Sequence, residues 1–439
     1  MHIEPHRALQ SPHLDVLNFL NEATLQYPAA ISFAPGRPAE QFFDVRNALH
    51  ALSHYASSSV AHAPLTPAQE EAFLNHLGQY QKTNGIINEL LCRFLQHDEH
   101  IETTPDAIMV TNGCQEAISI VLTGLFERER DVLLVFDPTY TGVTGMAALL
   151  GIETHPVAAS REGIDFAALN LGLQHVSAQG RRPRALYLIP DFNNPLGTSL
   201  ALADRQRLLQ LAEEHKLLLL EDNAYGMFSY DGSERLPTLK ALDRAGVVIY
   251  LGTFAKILFP SLRMGFLVAD QQVTGRDGQE RTLAEELSKV KSFLSVSTSA
   301  VLQAIAGGLL LTHNCSFQEI IGPKVRFYQA NRDCMLASLA GQFADDPLLA
   351  GQVRWSRPGG GIFLTVDLPF AFGKEQLHLC AEQYGVICCP MQFFSPLDRG
   401  ENQVRLSFSS VSQEEIKTGI ARFAAFVRAQ VARTDVLRP

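Results

Sequence analysis

Between residues 107 and 269 the chain repeats one pattern: a short, almost unbroken apolar run, a polar or glycine-bearing turn, then a longer stretch with helical spacing. The apolar runs lie at 107–110, 132–136, 185–189, 217–220, 247–250 and 266–269. A strand that reads apolar throughout, without alternation, is buried on both faces. Strands of this kind separated by helices predict an α/β domain built on a mostly parallel sheet. The intervening helices are expected at 115–126 and at 203–215, where Leu208, Leu209 and Ala212 mark the apolar side. In open sheets of this class ligands sit at the strand ends, so the turns after the strands are where chemistry is expected.

The flanking segments read differently. The stretch up to about Pro28 reads as irregular, with short helical pieces punctuated by His and Pro, and 31–38 (Ile-Ser-Phe-Ala-Pro-Gly-Arg-Pro) as turn-rich and extended. Residues 45–78 read as helix, exposed loop around 61–67, then helix. Beyond about Leu311 come a long helix (322–340), a strand (362–366), a helix (374–384) and a strand (404–408), which suggest a smaller α+β domain. At 439 residues two substructures are expected. The division is an N-terminal segment 1–44 contributing to the small domain, a large domain 45–312 and a small C-terminal domain 313–439.

Bulk properties exclude several classes of protein. With 46% hydrophobic and 19% charged residues the chain is globular rather than disordered. A net charge of −10 and the lack of any Lys/Arg-rich block argue against nucleic acid as a partner. The uncharged apolar runs are too short to cross a bilayer, and the N-terminus lacks the basic and apolar regions of a signal peptide, so a cytoplasmic protein is expected. Seven scattered cysteines without C-x-x-C spacing read as reduced thiols, and no metal site is expected.

Lys256 stands out among the lysines. It follows the strand at 247–250 and Thr253, and it precedes Arg263, Gly265 and the strand at 266–269. A lysine between two buried strands is costly as a charge. Held in a dry pocket, its amine has a lowered pKa and can act as a nucleophile or form a Schiff base, while Arg263 suits a phosphate. The alternative is a lysine on a solvated loop. Other strand ends carry similar alternatives. The turn Thr111-Asn-Gly-Cys-Gln-Glu-Ala117 opens a helix and offers backbone N–H groups to an anion. Asp222, at the end of the strand at 217–220, is either a helix cap or the partner of a cationic ring nitrogen. Asn194, between turn formers, and Tyr140, after the strand at 132–136, could each serve only turn chemistry or packing. Together they offer a phosphate cradle, a ring to stack on, an acid for a pyridinium, groups for a phenolate oxygen and a lysine for an aldehyde. Those are the requirements of pyridoxal 5′-phosphate (PLP).

In chain order, the segments Ile-Ser-Phe-Ala-Pro-Gly-Arg-Pro, Thr-Asn-Gly-Cys-Gln-Glu-Ala, Asp-Pro-Thr-Tyr, Asn-Asn-Pro-Leu-Gly, Glu-Asp-Asn-Ala-Tyr, Gly-Thr-Phe-Ala-Lys, Leu-Arg-Met-Gly, Pro-Gly-Gly-Gly-Ile-Phe and Val-Arg-Leu-Ser-Phe resemble the class I/II aminotransferases of PLP fold type I. The likeness is to the branch with 2-aminoadipate and kynurenine aminotransferases and the transaminase-like domain of MocR regulators, and it runs from about Ile31 to the final helix. It implies the fold-type I transferase fold: a large domain with a mostly parallel sheet plus a smaller α+β domain. It also implies an amino acid substrate and a homodimer with shared active sites.

By the same resemblance Lys256 carries the cofactor aldehyde and later moves the Cα proton. Asp222 pairs with the ring nitrogen, Asn194 and Tyr225 hold the ring oxygen, and Tyr140 stacks on the ring. Gly113, Cys114, Gln115, Thr253 and Arg263 hold the phosphate, with Tyr80 supplied by the partner subunit. Arg405 grips the substrate carboxylate, Gly36 lets backbone approach the substrate, and Arg37 lies where relatives contact its side chain. The chain departs from the family at Ala255, where a serine is usual, at Tyr80-Gln81 and at Pro390-Met391, each of which has Gly second in relatives. The 45–78 tract is also longer than expected. An aminotransferase is therefore expected. The alternative is an enzyme of the same fold diverted to cyclisation, elimination or oxidation of an amino acid. A transaminase-like ligand sensor is disfavoured, because no basic arm or helix-turn-helix precedes the domain.

Overall fold

The computed structural model describes residues 3–5, 7–10, 12–60, 65–160, 163–230 and 235–436. At its centre is an eight-stranded sheet in the order 108–111, 265–268, 248–253, 218–223, 182–188, 131–137, 153–160, 163–164. The four strands from 248–253 across to 131–137, together with 153–160, run parallel, whereas Gly265–Val268 runs antiparallel to both neighbours. All six expected strands are present. Their apolar character follows from burial on both sides. Leu133 and Val135 pack on one face with helix Cys114–Leu125, and Leu134 packs on the other with helices Phe166–Ala178 and Leu202–His215.

Residues 354–355, 363–367, 403–407 and 389–390 form a four-stranded antiparallel sheet. The N-terminal segment joins this part of the molecule through strand pairing of Ile31–Ser32 with Val386–Ile387. The sequence expectation fails earlier in the chain, where Pro12–Gln26 is one continuous helix rather than short pieces. Its Phe19 ring packs edge-on against His378 and Phe393, and that tertiary contact outweighs the weak local signal. Helices Val45–Val60 and Pro67–Leu77 flank the expected loop, of which residues 61–64 lie outside the described residues. No helix among the described residues is long and apolar enough to cross a membrane.

Candidate active site

The register brings the strand ends to one edge. Gly265 lies opposite both Thr111 and Thr253, so the turns after 108–111 and 248–253 meet at the start of the antiparallel strand. A Cβ at Gly265 would sit 2.7 Å from the Gly113 carbonyl carbon and 2.8 Å from the Cys114 nitrogen. Gly113 has φ +82, and a Cβ there would meet the Arg263 guanidinium at 2.5 Å. The two glycines thus allow Arg263 to lie against the first N–H groups of helix Cys114–Leu125, where its Nη2 donates to the Asn112 carbonyl at 3.1 Å. A guanidinium beside a helix N-terminus is an anion cradle.

A cavity of about 340 Å³ opens at this edge. Lys256 reaches into it, and its Nζ donates to the Gly36 carbonyl at 2.8 Å. Burial lowers its pKa to about 8, helped by the positive charges of Arg405, Arg263 and Arg37 and opposed by Asp222. Thr253 Oγ1 accepts the Ala255 N–H at 3.2 Å, which fixes the chain just before the lysine. Phe363 covers Gly36 closely, since a Cβ on this glycine would lie 2.5 Å from the ring.

Asp222 faces the cavity from the strand Leu218–Asn223 and is almost fully buried. Its Oδ2 accepts the Tyr187 hydroxyl at 2.6 Å, and its Oδ1 has no hydrogen-bond partner among the described residues. Burial pushes the carboxyl up to about 6, against the Tyr187 hydroxyl, the Cys114 thiol and the Lys256 charge. Burial and the Asp222 charge hold the Cys114 thiol well above the ordinary range. The Tyr140 hydroxyl donates to Gln115 Oε1 at 3.3 Å, and Gln115 Nε2 donates to the Gly142 carbonyl at 2.9 Å. The Gln115 side chain therefore braces the Tyr140 ring.

On the opposite wall Arg405 sits on strand Gln403–Ser407. Its Nη1 donates to Asn194 Oδ1 at 2.5 Å and its Nη2 to the Ala34 carbonyl, while Nε is buried without a partner among the described residues. The guanidinium lies 4.2 Å from the Phe363 ring centroid and 4.7 Å from that of Phe394. Tyr225 is buried beside Phe363, with ring centroids 5.7 Å apart, and burial raises its hydroxyl pKa.

Of the residues singled out from sequence, Gly36, Arg37, Cys114, Gln115, Tyr140, Asn194, Asp222, Tyr225, Thr253, Lys256, Arg263 and Arg405 all line this one cavity. Gly113 stands just behind it against Arg263. Tyr80 is not brought there within the chain and is 78% exposed. Sequence reasoning missed Tyr187, Phe363 and Phe394. Tyr187 lies inside an apolar strand run, where an aromatic residue reads as packing.

A model of the family described as aminotransferase class I and II matches residues 59–423. The (S)-3,5-dihydroxyphenylglycine transaminase of Amycolatopsis orientalis is 42% identical, over 97% of this chain and 94% of that protein. The 2-aminoadipate transaminase of Thermus thermophilus is 32% identical, over 93% and 92% of the two chains. Among solved structures, the Thermus thermophilus α-aminoadipate aminotransferase LysN, complexed with N-(5′-phosphopyridoxyl)-L-leucine, superimposes with a TM-score of 0.78 at 28% identity, covering 98% of each chain.

Proposed function

The chain belongs to the class I and II aminotransferase family, a family of PLP enzymes that exchange an amino group between an α-amino acid and a 2-oxo acid; on that premise we propose how its cavity performs the reaction and which amino acid it takes. The observation that carries the assignment of roles is the pairing of Lys256 with Asp222 Oδ1 in one buried cavity. Oδ1 is a buried acceptor without a partner of good geometry among the described residues, the Cys114 thiol being only a weak donor beside the carboxyl, and a protonated ring nitrogen would satisfy it. The anion cradle at Gly113, Cys114 and Arg263 suits the phosphate, and Tyr140 offers its face to the ring. These features fit the cofactor.

When bound, PLP supplies an aldehyde that takes up the substrate amino group and a ring that delocalises the electron pair left on Cα when its proton departs. Lys256 would be the amine that holds that aldehyde. Its free Nζ, which reaches into the cavity, would remove the Cα proton and deliver a proton back. With a pKa of about 8, a useful fraction of that amine is unprotonated near neutral pH. Asp222, ionised above about pH 6, would hold the ring nitrogen protonated. Arg405 binds the substrate carboxylate, with Asn194 fixing its orientation.

The substrate reading is an α-amino acid with an aromatic ring close to Cα, of the arylglycine type. The relative named for (S)-3,5-dihydroxyphenylglycine supports it, as do the Phe363 and Phe394 rings beside Arg405. Arg37 lies on the same cavity wall. We also propose a homodimer whose partner brings Tyr80 to this cavity, in line with the exposure of Tyr80 and of Phe293, 94% exposed. The division into 1–44, 45–312 and 313–439 is retained as the domain proposal. No observation favours cyclisation, elimination or oxidation.

The test is a panel of arylglycines, tyrosine, 2-aminoadipate and alanine, followed by the absorbance change of the bound cofactor and by kcat/KM. Hydroxylated arylglycines should lead. A lead by 2-aminoadipate or alanine would refute the substrate reading. Lys256→Ala should lose the covalent cofactor band, and keeping the band would overturn the assignment of the lysine.

A further inference from the structure

The long helix Gln318–Phe343 turns a polar face inward. Lys324, Tyr328, Asn331 and Arg332 recur at helical spacing, and all four are buried. Each ends on the backbone of a segment bordering the cavity. Lys324 Nζ donates to the carbonyl oxygens of Ile257 and, at 3.2 Å, Leu258, the two residues after Lys256. The Tyr328 hydroxyl accepts the Ala39 N–H at 3.1 Å, at the end of the segment that carries Gly36. Asn331 Nδ2 donates to the carbonyls of Phe408 and Val411, just past the Arg405 strand, at 2.9 and 2.7 Å. Arg332 Nη1 donates to the Pro358 carbonyl at 3.0 Å, ahead of the turn leading to Phe363.

Lys324 is the member that packing does not explain. It is 1% exposed, and no carboxylate among the described residues acts on its charge. Burial alone lowers its pKa, to about 8. A buried cation without an anion is costly, and a methionine would fill the same volume without that cost. What the ammonium adds is a pair of directed donors to consecutive carbonyls. Leu258 N–H bonds the Phe254 carbonyl at 2.8 Å, so residues 254–258 make a single helical turn and Lys324 caps its C-terminal end. Lys256 lies within that turn.

We propose that Lys324 is a positioning residue for transamination: by holding the carbonyls of Ile257 and Leu258 it fixes the turn that aims Lys256 into the cavity, while its helix keeps that turn in register with the Gly36 wall and the Arg405 strand. The inference rests on Lys256 being the reactive amine. A turn released by even 1 Å misplaces the proton-transferring nitrogen, and misplacement of that size costs about 100-fold in rate.

The experiment compares wild type, Lys324→Met and Lys324→Arg as holoenzymes, and repeats the exchange measurement on the cofactor-stripped proteins. For Lys324→Met, kcat should fall about 10- to 100-fold with KM changed less than about threefold. The pH midpoint of the bound cofactor absorbance should shift. Hydrogen exchange at residues 255–260 should accelerate while the 182–188 strand is unaffected. Lys324→Arg, which keeps the donors, should recover protection at 255–260.

Unchanged kcat, midpoint and local exchange in Lys324→Met would overturn the proposal. Protection lost equally at 182–188 would also overturn it, because that outcome is a purely structural role. If Lys324→Met does not fold, Lys324→Gln is judged by the same criteria. Lys256→Ala measured in parallel separates the two readings. If its cofactor band is lost while Lys324→Met behaves as wild type, only this inference falls; if its band is retained, the reading beneath it falls.

Discussion

Asp222→Asn should stabilise the cofactor-free protein and weaken its binding of the cofactor. Asp222 is 4% exposed, with Oδ2 on the Tyr187 hydroxyl and Oδ1 unpartnered. Its carboxyl rises from 3.8 to about 6 on burial, and a shift of about two units corresponds to ~3 kcal/mol. Between about pH 4 and 6 the folded carboxyl keeps a proton that the unfolded chain releases, so stability falls as pH rises through that window. Above about 6 the full cost is present. Asparagine removes the charge and keeps an acceptor for Tyr187, but it leaves an amide donor where Oδ1 stood. The net gain near pH 7.5 is therefore about 1–3 kcal/mol, or a few degrees in Tm. Near pH 4, where most of the wild-type carboxyl is already protonated in the folded state, the gain should largely vanish. Loss of a charge-assisted bond to the ring nitrogen should weaken cofactor binding by about 10- to 100-fold. Thermal melts of both proteins at the two pH values, with and without cofactor, read all of this. A cofactor-free variant no more stable than wild type near pH 7.5, or a gain equal at both pH values, would refute the reasoning.

Two further substitutions probe the phosphate cradle. Gly265→Ala puts a methyl within 2.8 Å of the Gly113–Cys114 backbone, so that turn must shift; cofactor affinity measured by titration should drop at least about tenfold, and wild-type affinity would show that the turn does not hold the phosphate. Ala255→Ser adds a hydroxyl on a residue that lines the cavity; one added hydrogen bond of ~1 kcal/mol should tighten cofactor binding about fivefold, and an unchanged Kd would mean this position does not face the phosphate.

The central sheet was legible because strands buried on both faces must be apolar throughout, and helices between them reset the direction. The strand Glu153–Ser160 escaped notice because it lies near the sheet edge, carries Glu, His and Pro, and offers no apolar run. The candidate site was legible to the extent that its residues occupy strand ends and the turns after them: Asp222 closes the strand Leu218–Asn223, and Lys256, Asn194 and Tyr140 follow strands, each in a polar context that burial makes unusual. Tyr187 was not legible: its hydroxyl acts from inside a strand, and nothing in the sequence separates it from a packing aromatic. Phe394 and Lys324 were hidden for a related reason. Each arrives from a distant element, and a single lysine on a long helix reads as a solvated residue until its carbonyl partners are known.

The charges in the cavity do not balance. Arg37, Arg263, Arg405 and Asp222 all act on the Lys256 charge and line one cavity, in a chain whose net charge is −10. Repulsion from the three arginines adds to burial in lowering the lysine pKa. In the proposed function a phosphate against Arg263 and a carboxylate against Arg405 would supply counter-charges, and the Nε of Arg405, without a partner among the described residues, is where the second would dock. Their arrival has a kinetic consequence. Neutralising Arg405 removes the largest repulsion acting on Lys256 after burial itself, so the lysine becomes a stronger base when a substrate carboxylate is in place. An amine analogue without a carboxylate should therefore lose rate in the proton-transfer step as well as affinity. Burst measurements of Cα-deuterium exchange with an arylglycine and the matching benzylamine read that loss directly; equal exchange rates at saturation would show that Arg405 contributes binding alone.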